Sequence, residues 1–390
     1  MMKRQPKVLV VGAGPVGLVL AYQLKSRGIS VRIIDKEKLI SQTSKALSIN
    51  AASLYVFQSM KIVNKFLHAG KKIQDITIYW NNSRLAYVNL ARLKSLYPYY
   101  LSLPQSETEA ILTNELSGLG LNIERNVSFN SLKQDKEGVE VKTVNSVSGI
   151  PELQRYDYVI GCDGSRSMVR AHLGCGFVGY DYPAYLSLID VYLEEVEQYQ
   201  TETRYYIKED GFIILIPLPR GAHRIVIKDK NSDKNRKITL EKYQKTIDYY
   251  SPYPLNIKNI LWESHSRIYN RLSEKFRDNR VFLAGDAAHL FSPIGGLGMN
   301  TGIQDAHNLA DKLSGVIIGK FHPDFLNNYE VERLSIAKKL LQRTDDLTRL
   351  IMRIDCDPKG NLKNWLPHMK NRIYMKQHWP VSFSGLSNFD

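Results

Sequence analysis

The chain has 390 residues, which at roughly 150 residues per domain is enough for two or three domains and a sizeable core. Hydrophobic residues make up 43% of it and charged residues 24%, close to globular averages, which excludes a disordered, collagen-like or coiled-coil chain. Lysine and arginine number 53 against 39 acids, and the resulting net charge of +14 raises nucleic acid, a membrane surface or an anionic cofactor as partners.

Three cysteines, Cys162, Cys175 and Cys356, form no CxxC pair, so no disulfide framework and no metal site is expected, and a reducing, cytoplasmic setting fits. Residues Val8 to Leu24 carry no charge and follow Lys3, Arg4 and Lys7, which superficially resembles a signal peptide or membrane span. Gly12, Gly14, Pro15 and Gly17 interrupt that run, and a soluble strand, turn and helix uses each of them, so no membrane span is expected.

Lys7 to Val11 is a β-branched run of the kind buried in a parallel sheet, and Gly12-Ala13-Gly14-Pro15-Val16-Gly17 follows it directly. In this GxGxxG, Gly12 permits the tight turn, Gly14 lets backbone approach a pyrophosphate, and Gly17 lets the helix lie close on the strand. Pro15 suits the first helical turn, and Val16, Leu20 and Leu24 share one side of a helix ending at Gly28. A second strand, Ile29 to Ile34, closes on Asp35 with Lys36 beside it. An acid there is placed to accept both ribose hydroxyls and to repel a 2′-phosphate, which favours FAD or NAD over NADP at this site.

Ile76 to Trp80 and Arg84 to Val88 flank Asn81-Asn82-Ser83 as a hairpin. Residues 157 to 170 read as a strand ending in Gly161-Cys162-Asp163-Gly164 and a basic helix start. Leu186 to Leu193, Thr203 to Lys208, Phe212 to Ile216 and Arg224 to Lys228 read as antiparallel strands. A further buried strand, Val281 to Ala284, ends in Gly285-Asp286, delivering a carboxylate to the ligand-binding edge of a parallel sheet. Gly295, Gly296 and Gly298 then free backbone N–H groups at the start of a helix from about Met299, whose positive end faces whatever lies there. A long helical pattern follows from His322-Pro323 to Arg353. Beyond a break at Asp357-Pro358-Lys359-Gly360, Leu362, Trp365, Leu366, Met369 and Ile373 recur at helical spacing, with Pro367 forcing a kink or restart.

The trio of GxGxxG, Asp163-Gly164 and Gly285-Asp286 resembles the single-component, FAD-dependent aromatic hydroxylases, the class A flavoprotein monooxygenases. The resemblance covers most of residues 7 to 345. It implies an α/β fold: a Rossmann-like FAD-binding domain (1–75, 101–175 and 266–320) carrying an inserted, mainly antiparallel β-sheet substrate domain (76–100 and 176–265) and C-terminal helices (321–390). It implies bound FAD, NADPH or NADH as reductant, and O₂. One oxygen atom then passes through a flavin C4a-hydroperoxide to an aromatic or enolic small molecule. Position by position, Asp286 matches the acid that accepts from the ribityl hydroxyls, Gln105 the flavin-binding glutamine, and Pro293 the proline lining the flavin's reactive face. Gly298, Met299 and Asn300 match the helix start at the flavin N1 and O2 region, and Asp163 the aspartate linked to FAD and nicotinamide handling. Ser44-Lys45-Ala46 stands where many members have Ser-Arg-Ala, so Lys45 supplies the charge for a phosphate without the bidentate fork. His289 reads as a structural group rather than a base.

Strand parity puts Arg204, Tyr206 and Lys208 on one face, so that Arg204 meets an anionic or enolate substrate, with Arg224 a weaker candidate. The place of Arg204 relative to Pro217, and the short C-terminus, resemble the tetracycline-inactivating members. That resemblance implies oxidative inactivation of a tetracycline, a monomer, and a lid at 361–377. Phenol or other polyketide hydroxylation is the alternative within the family. A non-catalytic basic flavin-fold binder or sensor is the alternative outside it, although no long cationic run or nucleic-acid module is present and no nucleic-acid partner is expected.

Overall fold

The computed structural model describes residues 7–40, 46–194, 200–228 and 239–352. Lys45, Arg353 and the segment 361–377 expected to form a lid lie outside the described residues. Val8–Val11 runs parallel to Val31–Asp35 on one side and Tyr158–Gly161 on the other, and the latter runs parallel to Val281–Leu283. Glu124–Arg125 and the antiparallel pair Arg277–Asp278 close the two edges of this six-stranded sheet. Every residue of Val8–Val11 and Tyr158–Gly161 is buried, because helices cover both faces and leave no side for a polar residue.

The GxGxxG turn is held by contacts that admit no side chain. Gly12 has φ 102°, and a Cβ there would stand 2.4 Å from the Cys162 carbonyl oxygen, so the GxGxxG turn and the loop that carries Asp163-Gly164 touch backbone to backbone. Helix Pro15–Ser26 packs on helix Gly298–Ile317 through Val16. A Cβ at Gly302 would lie 2.5 Å from Val16 Cγ2 and 3.0 Å from Gly285 Cα, so Val16 fills a hole walled by two glycines. The run Val8 to Leu24 is thus a strand, a turn and a helix, and among the described residues no helix is long and apolar enough to cross a membrane.

A second sheet has eight strands in the order His289–Leu290, Ile257–Ser273, Phe177–Leu193, His223–Lys228, Gly211–Pro217, Glu202–Lys208, Asp75–Trp80 and Ser83–Asn89. It departs from the expected antiparallel pattern at one place, where Glu202–Lys208 runs parallel to Asp75–Trp80. That pair joins strands more than a hundred residues apart, so no hairpin turn dictates their direction. The hairpin turn itself is Asn81-Asn82, with φ 43° and 69°, and Ser83 already pairs with Trp80. Positive φ at both central residues suits the right-handed twist of the strands.

Alternation gives this sheet two different faces. One carries Tyr206, Ile213, Leu215, Ile225 and Ile227, packed under Tyr243 and Ile247 of helix Leu240–Tyr250. The other carries Leu186, Leu188, Ile207, Phe212 and Ile214, packed with Ile294 and Met352. Ile294 follows Pro293 in the glycine-rich loop, so this inner face is the one turned toward the parallel-sheet domain.

A 3₁₀ turn, Pro323–Leu326, precedes helix Asn327–Met352, which bridges the two sheets. At its start, the Tyr329 hydroxyl donates to the Leu283 carbonyl at 2.7 Å, and Glu330 accepts the Arg277 N–H at 2.8 Å. Near its end, Asp345 accepts the hydroxyls of Tyr180 and Tyr182 from the long strand of the second sheet.

Gly302→Val should therefore lower stability by roughly 1–3 kcal/mol, the range for overpacking a filled core. Chemical denaturation should show the loss, and Val16→Ala in the same chain should recover part of it by emptying the hole.

Candidate functional site

The three motifs meet at the carboxyl edge of the parallel sheet. A Cβ at Gly14 would meet no heavy atom within 4 Å, so backbone here is open to a close ligand. The helix ladder starts with Leu18 N donating to Gly14 O at 3.0 Å, which leaves the N–H groups of Val16 and Gly17 without a carbonyl inside the helix. Asp35 closes the next strand. Its Oδ2 accepts Ala13 N at 2.6 Å and its Oδ1 accepts Glu37 N at 2.8 Å, so each oxygen keeps one further lone pair for a ribose hydroxyl. Arg125 Nη1 stands 3.8 Å away and Lys36 is exposed beside it.

Gln105 opens helix Gln105–Gly118, its N–H donating to the Ala46 carbonyl at 3.0 Å. Its side-chain amide donates to Glu109 at 2.8 Å, and burial raises the Glu109 carboxyl above its ordinary pKa.

Asp163 caps the short helix Met168–His172, accepting Ser167 Oγ at 2.5 Å, Met168 N at 2.7 Å and Val169 N at 3.2 Å. Burial raises its carboxyl while those bonds oppose the rise. Gly164 follows with φ 79°. Arg170, which sequence reading passed over, joins this loop to the next motif: Nη1 donates to Ala287 O at 2.8 Å and Nη2 to Ser165 O at 2.9 Å. Its guanidinium lies 3.7 Å from the centre of the Phe177 ring.

Asp286 is exposed between two buried neighbours, Gly285 and Ala287, so its carboxylate is turned outward at the sheet edge. Beneath it, Asp305 is fully buried and accepts Gly285 N at 3.1 Å, His289 Nε2 at 2.6 Å and Arg333 Nε at 2.6 Å. Burial opposes ionisation of Asp305, but Arg333 and His289 outweigh it and hold its pKa at about 2. His289, fully buried against Asp305, is part of this support. Neither Asp305 nor Arg333 has a local sequence signal, because their partnership spans 28 residues and two helices.

Pro293 is exposed, and beyond it Gly295 and Gly296 both have positive φ. Helix Gly298–Ile317 begins its ladder with Thr301 N donating to Leu297 O at 2.9 Å, so the N–H groups of Gly298, Met299 and Asn300 precede it. The Asn300 side chain faces inward. Its Nδ2 donates to Ser48 O at 2.7 Å and Gly296 O at 2.8 Å, and its Oδ1 accepts Asn50 N at 2.9 Å and Ser53 Oγ at 2.7 Å. Two donors and two acceptors satisfy the carboxamide completely, so only the Asn300 backbone is offered to a ligand.

Arg204 does not reach the inner face. It lies two residues from Tyr206 on the face under helix Leu240–Tyr250, donates to Glu202 at 2.6 Å and sits 5.6 Å from the Tyr253 ring, while Tyr205 and Ile207 point the other way. Arg204 shares a face with Tyr206 as strand parity predicts, but that face is the one helix Leu240–Tyr250 covers, so the structure does not bring Arg204 to the inner face. Arg224 is on the inner face but fully buried, with Asp190 bound at 2.6 and 2.8 Å.

These residues fit FAD. Two helix starts face open space, since a Cβ at Gly14 or at Gly298 meets nothing within 4 Å, and they suit a pyrophosphate and a flavin ring respectively. Among the described residues no group of three or more His, Cys, Asp or Glu is placed to hold a metal.

The profile of a family described as FAD binding domain matches residues 5–344. Pentachlorophenol 4-monooxygenase of Sphingobium chlorophenolicum is 33% identical over 350 residues, covering 88% of this chain and 65% of the relative. 6-Methylpretetramide 4-monooxygenase of Streptomyces rimosus is 32% identical over 355 residues, covering 89% and 62%. The chain therefore spans under two thirds of the length of these relatives. The crystal structure of p-nitrophenol 4-monooxygenase from Pseudomonas putida DLL-E4 superimposes with a TM-score of 0.85 at 23% identity, covering 96% of both chains, which shows a shared fold.

The depressed pKa of Asp305 makes it a stabiliser that is fully present above its ordinary value of 3.8 and is lost as pH falls through about 2. Its share is about 2 kcal/mol. Urea unfolding at pH 4 and pH 2 should show this loss in the native chain and its absence in Asp305→Asn, which should also be less stable at pH 7.

Proposed function

Because this chain belongs to the FAD binding domain family, we propose that it is a FAD-dependent monooxygenase acting on an aromatic or enolic polyketide-type substrate, with a tetracycline as first choice. The overall change is substrate C–H plus O₂, NAD(P)H and a proton giving C–OH, water and NAD(P)⁺. The observation that carries this reading is the meeting of all three motifs at one sheet edge, with the loop that follows the third pressed by Ile294 against the inner face of the second sheet. A substrate held there is bounded by an apolar sheet on one side and the flavin site on the other, the usual place for a pocket between domains.

Bound FAD supplies the redox chemistry, and the chain supplies position and electrostatics. The N–H groups at Val16 and Gly17 hold the pyrophosphate, Asp35 the ribose, and Asp286 the ribityl hydroxyls. The N–H groups of Gly298, Met299 and Asn300, with the helix dipole behind them, favour negative charge on the adjacent flavin edge by ~0.3–1 kcal/mol, and up to ~2 where partly buried. Arg170 and Asp305 keep the two loops in register. Asp163, occupied as a helix cap, contributes by shaping its loop.

Support for a tetracycline comes from the similarity to an enzyme named for 6-methylpretetramide, whereas the similarity to an enzyme named for pentachlorophenol supports a simpler phenol. A non-catalytic basic flavin-fold protein is the reading that the net charge of +14 favours.

Purified protein mixed with FAD should be yellow, and NADPH oxidation should accelerate with a member of a phenol and tetracycline panel, giving a product heavier by one oxygen atom on mass spectrometry. Flavin binding without stimulated NADPH oxidation would point to the non-catalytic reading. Asp286→Ala should weaken FAD binding about tenfold, roughly 1.4 kcal/mol, measured by quenching of flavin fluorescence.

A further inference from the structure

The inner face of the second sheet is largely apolar, although Thr203, Lys228 opposite Phe212, and Asn270 beyond Ile268 share its parity, and one transverse row across it carries a buried ion pair. Trp262, Asp190, Arg224 and Ile216 are consecutive cross-strand partners, so their side chains line up across four strands. Along its own strand, Asp190 stands between Leu188, which packs with Ile294 of the flavin loop, and Tyr192, which packs with Leu47 and Leu218. Both neighbouring clusters reach the parallel-sheet domain, one through Ile294 and one through Leu47. Asp190 is therefore at the middle of the surface facing the flavin.

The two charges of this row are not equally presented. Asp190 accepts Arg224 Nε at 2.6 Å and Nη2 at 2.8 Å, one bond on each oxygen, and Arg224 also lies 4.8 Å from the Trp262 ring. The Arg224 side chain is 0% exposed and that of Asp190 is 12%. A ligand on this face meets the carboxylate, with one lone pair left on each oxygen, while the cation is sealed behind it. The pair has no net charge, so the site attracts neither a cation nor an anion strongly, and an anion approaching it meets oxygen first.

We propose that Asp190 is a specificity-determining residue that accepts a hydrogen bond from a neutral hydroxyl on a flat aromatic or enolic substrate beside Trp262, and that Arg224 positions it. This rests on the monooxygenase reading for the substrate being drawn to this face. It inverts the expectation that an arginine of this sheet receives an anion. A site built around such an acceptor rejects a ligand lacking the hydroxyl, because the carboxylate then loses water without a replacement.

The test uses the full chain loaded with FAD and three probes: 2-naphthol, its methyl ether and 2-naphthoate. Affinity is read from the perturbation of flavin absorption, and KM and kcat from NADPH oxidation. The native chain should bind 2-naphthol at least about tenfold more tightly than either other probe. Asp190→Asn should erase that preference through KM while the ether is bound as before. Should that variant fold poorly, Asp190→Asn with Arg224→Met removes both charges and leaves no unpaired ion, and it should show the same loss of preference. A flavin-loaded native chain that oxidises NADPH but binds the three probes alike, or fails to bind 2-naphthol, overturns the proposal and leaves the monooxygenase reading standing. A native chain that binds no flavin, or never oxidises NADPH, overturns the monooxygenase reading and this proposal with it.

Discussion

The buried carboxylate of Asp305 is the interaction on which the site depends. It lies on helix Gly298–Ile317, yet it holds the Gly285 N–H at the end of a sheet strand, His289 beyond the turn, and Arg333 on the next helix. Three segments that must be aligned for a ligand at the sheet edge thus converge on two oxygen atoms. An unpaired carboxylate there would be expensive to bury, so a placement of these segments that removed its partners would carry that cost. The exposed Asp286 can face outward because the loop beneath it is anchored by this knot, by Arg170 and by Val16 seated against Gly285.

A division of labour follows between backbone and side chain. The groups best placed for an anionic ligand are main-chain N–H groups at two helix starts. Several side chains that look like ligand groups hold those starts in place instead. Asn300 spends its whole carboxamide on Ser48, Gly296, Asn50 and Ser53, and Asp163 spends its carboxylate on its own helix. Backbone dipoles fixed in this way need no reorganisation when charge develops nearby, which is the physical advantage of building a redox site from them.

The second sheet works by having two unlike faces. The outer face is closed by helix Leu240–Tyr250 and takes Arg204 with Glu202. The inner face is closed by the parallel-sheet domain and the end of helix Asn327–Met352, and it takes Arg224 with Asp190. Both arginines are neutralised by an acid, so the excess positive charge of the chain is not concentrated on either pair.

Much of the fold was legible in the linear chain because it depends on local rules. Continuous apolar runs marked the buried parallel strands, glycine spacing marked the GxGxxG turn, and the Asn81-Asn82 pair marked the hairpin, each a matter of sterics and periodicity within a few residues. The positions of Asp35 and Asp286 at strand ends followed from the same rules, whereas Pro293 was marked only by the resemblance to the family. What only tertiary structure decided was which face of a strand meets the ligand and which polar groups are already occupied. Periodicity states that Arg204 and Tyr205 point opposite ways, but not which side a helix will cover. Nor does it show that Asp305 and Arg333 meet, or that Arg170 reaches Ala287, because those partnerships form between distant segments brought together by burial of apolar surface.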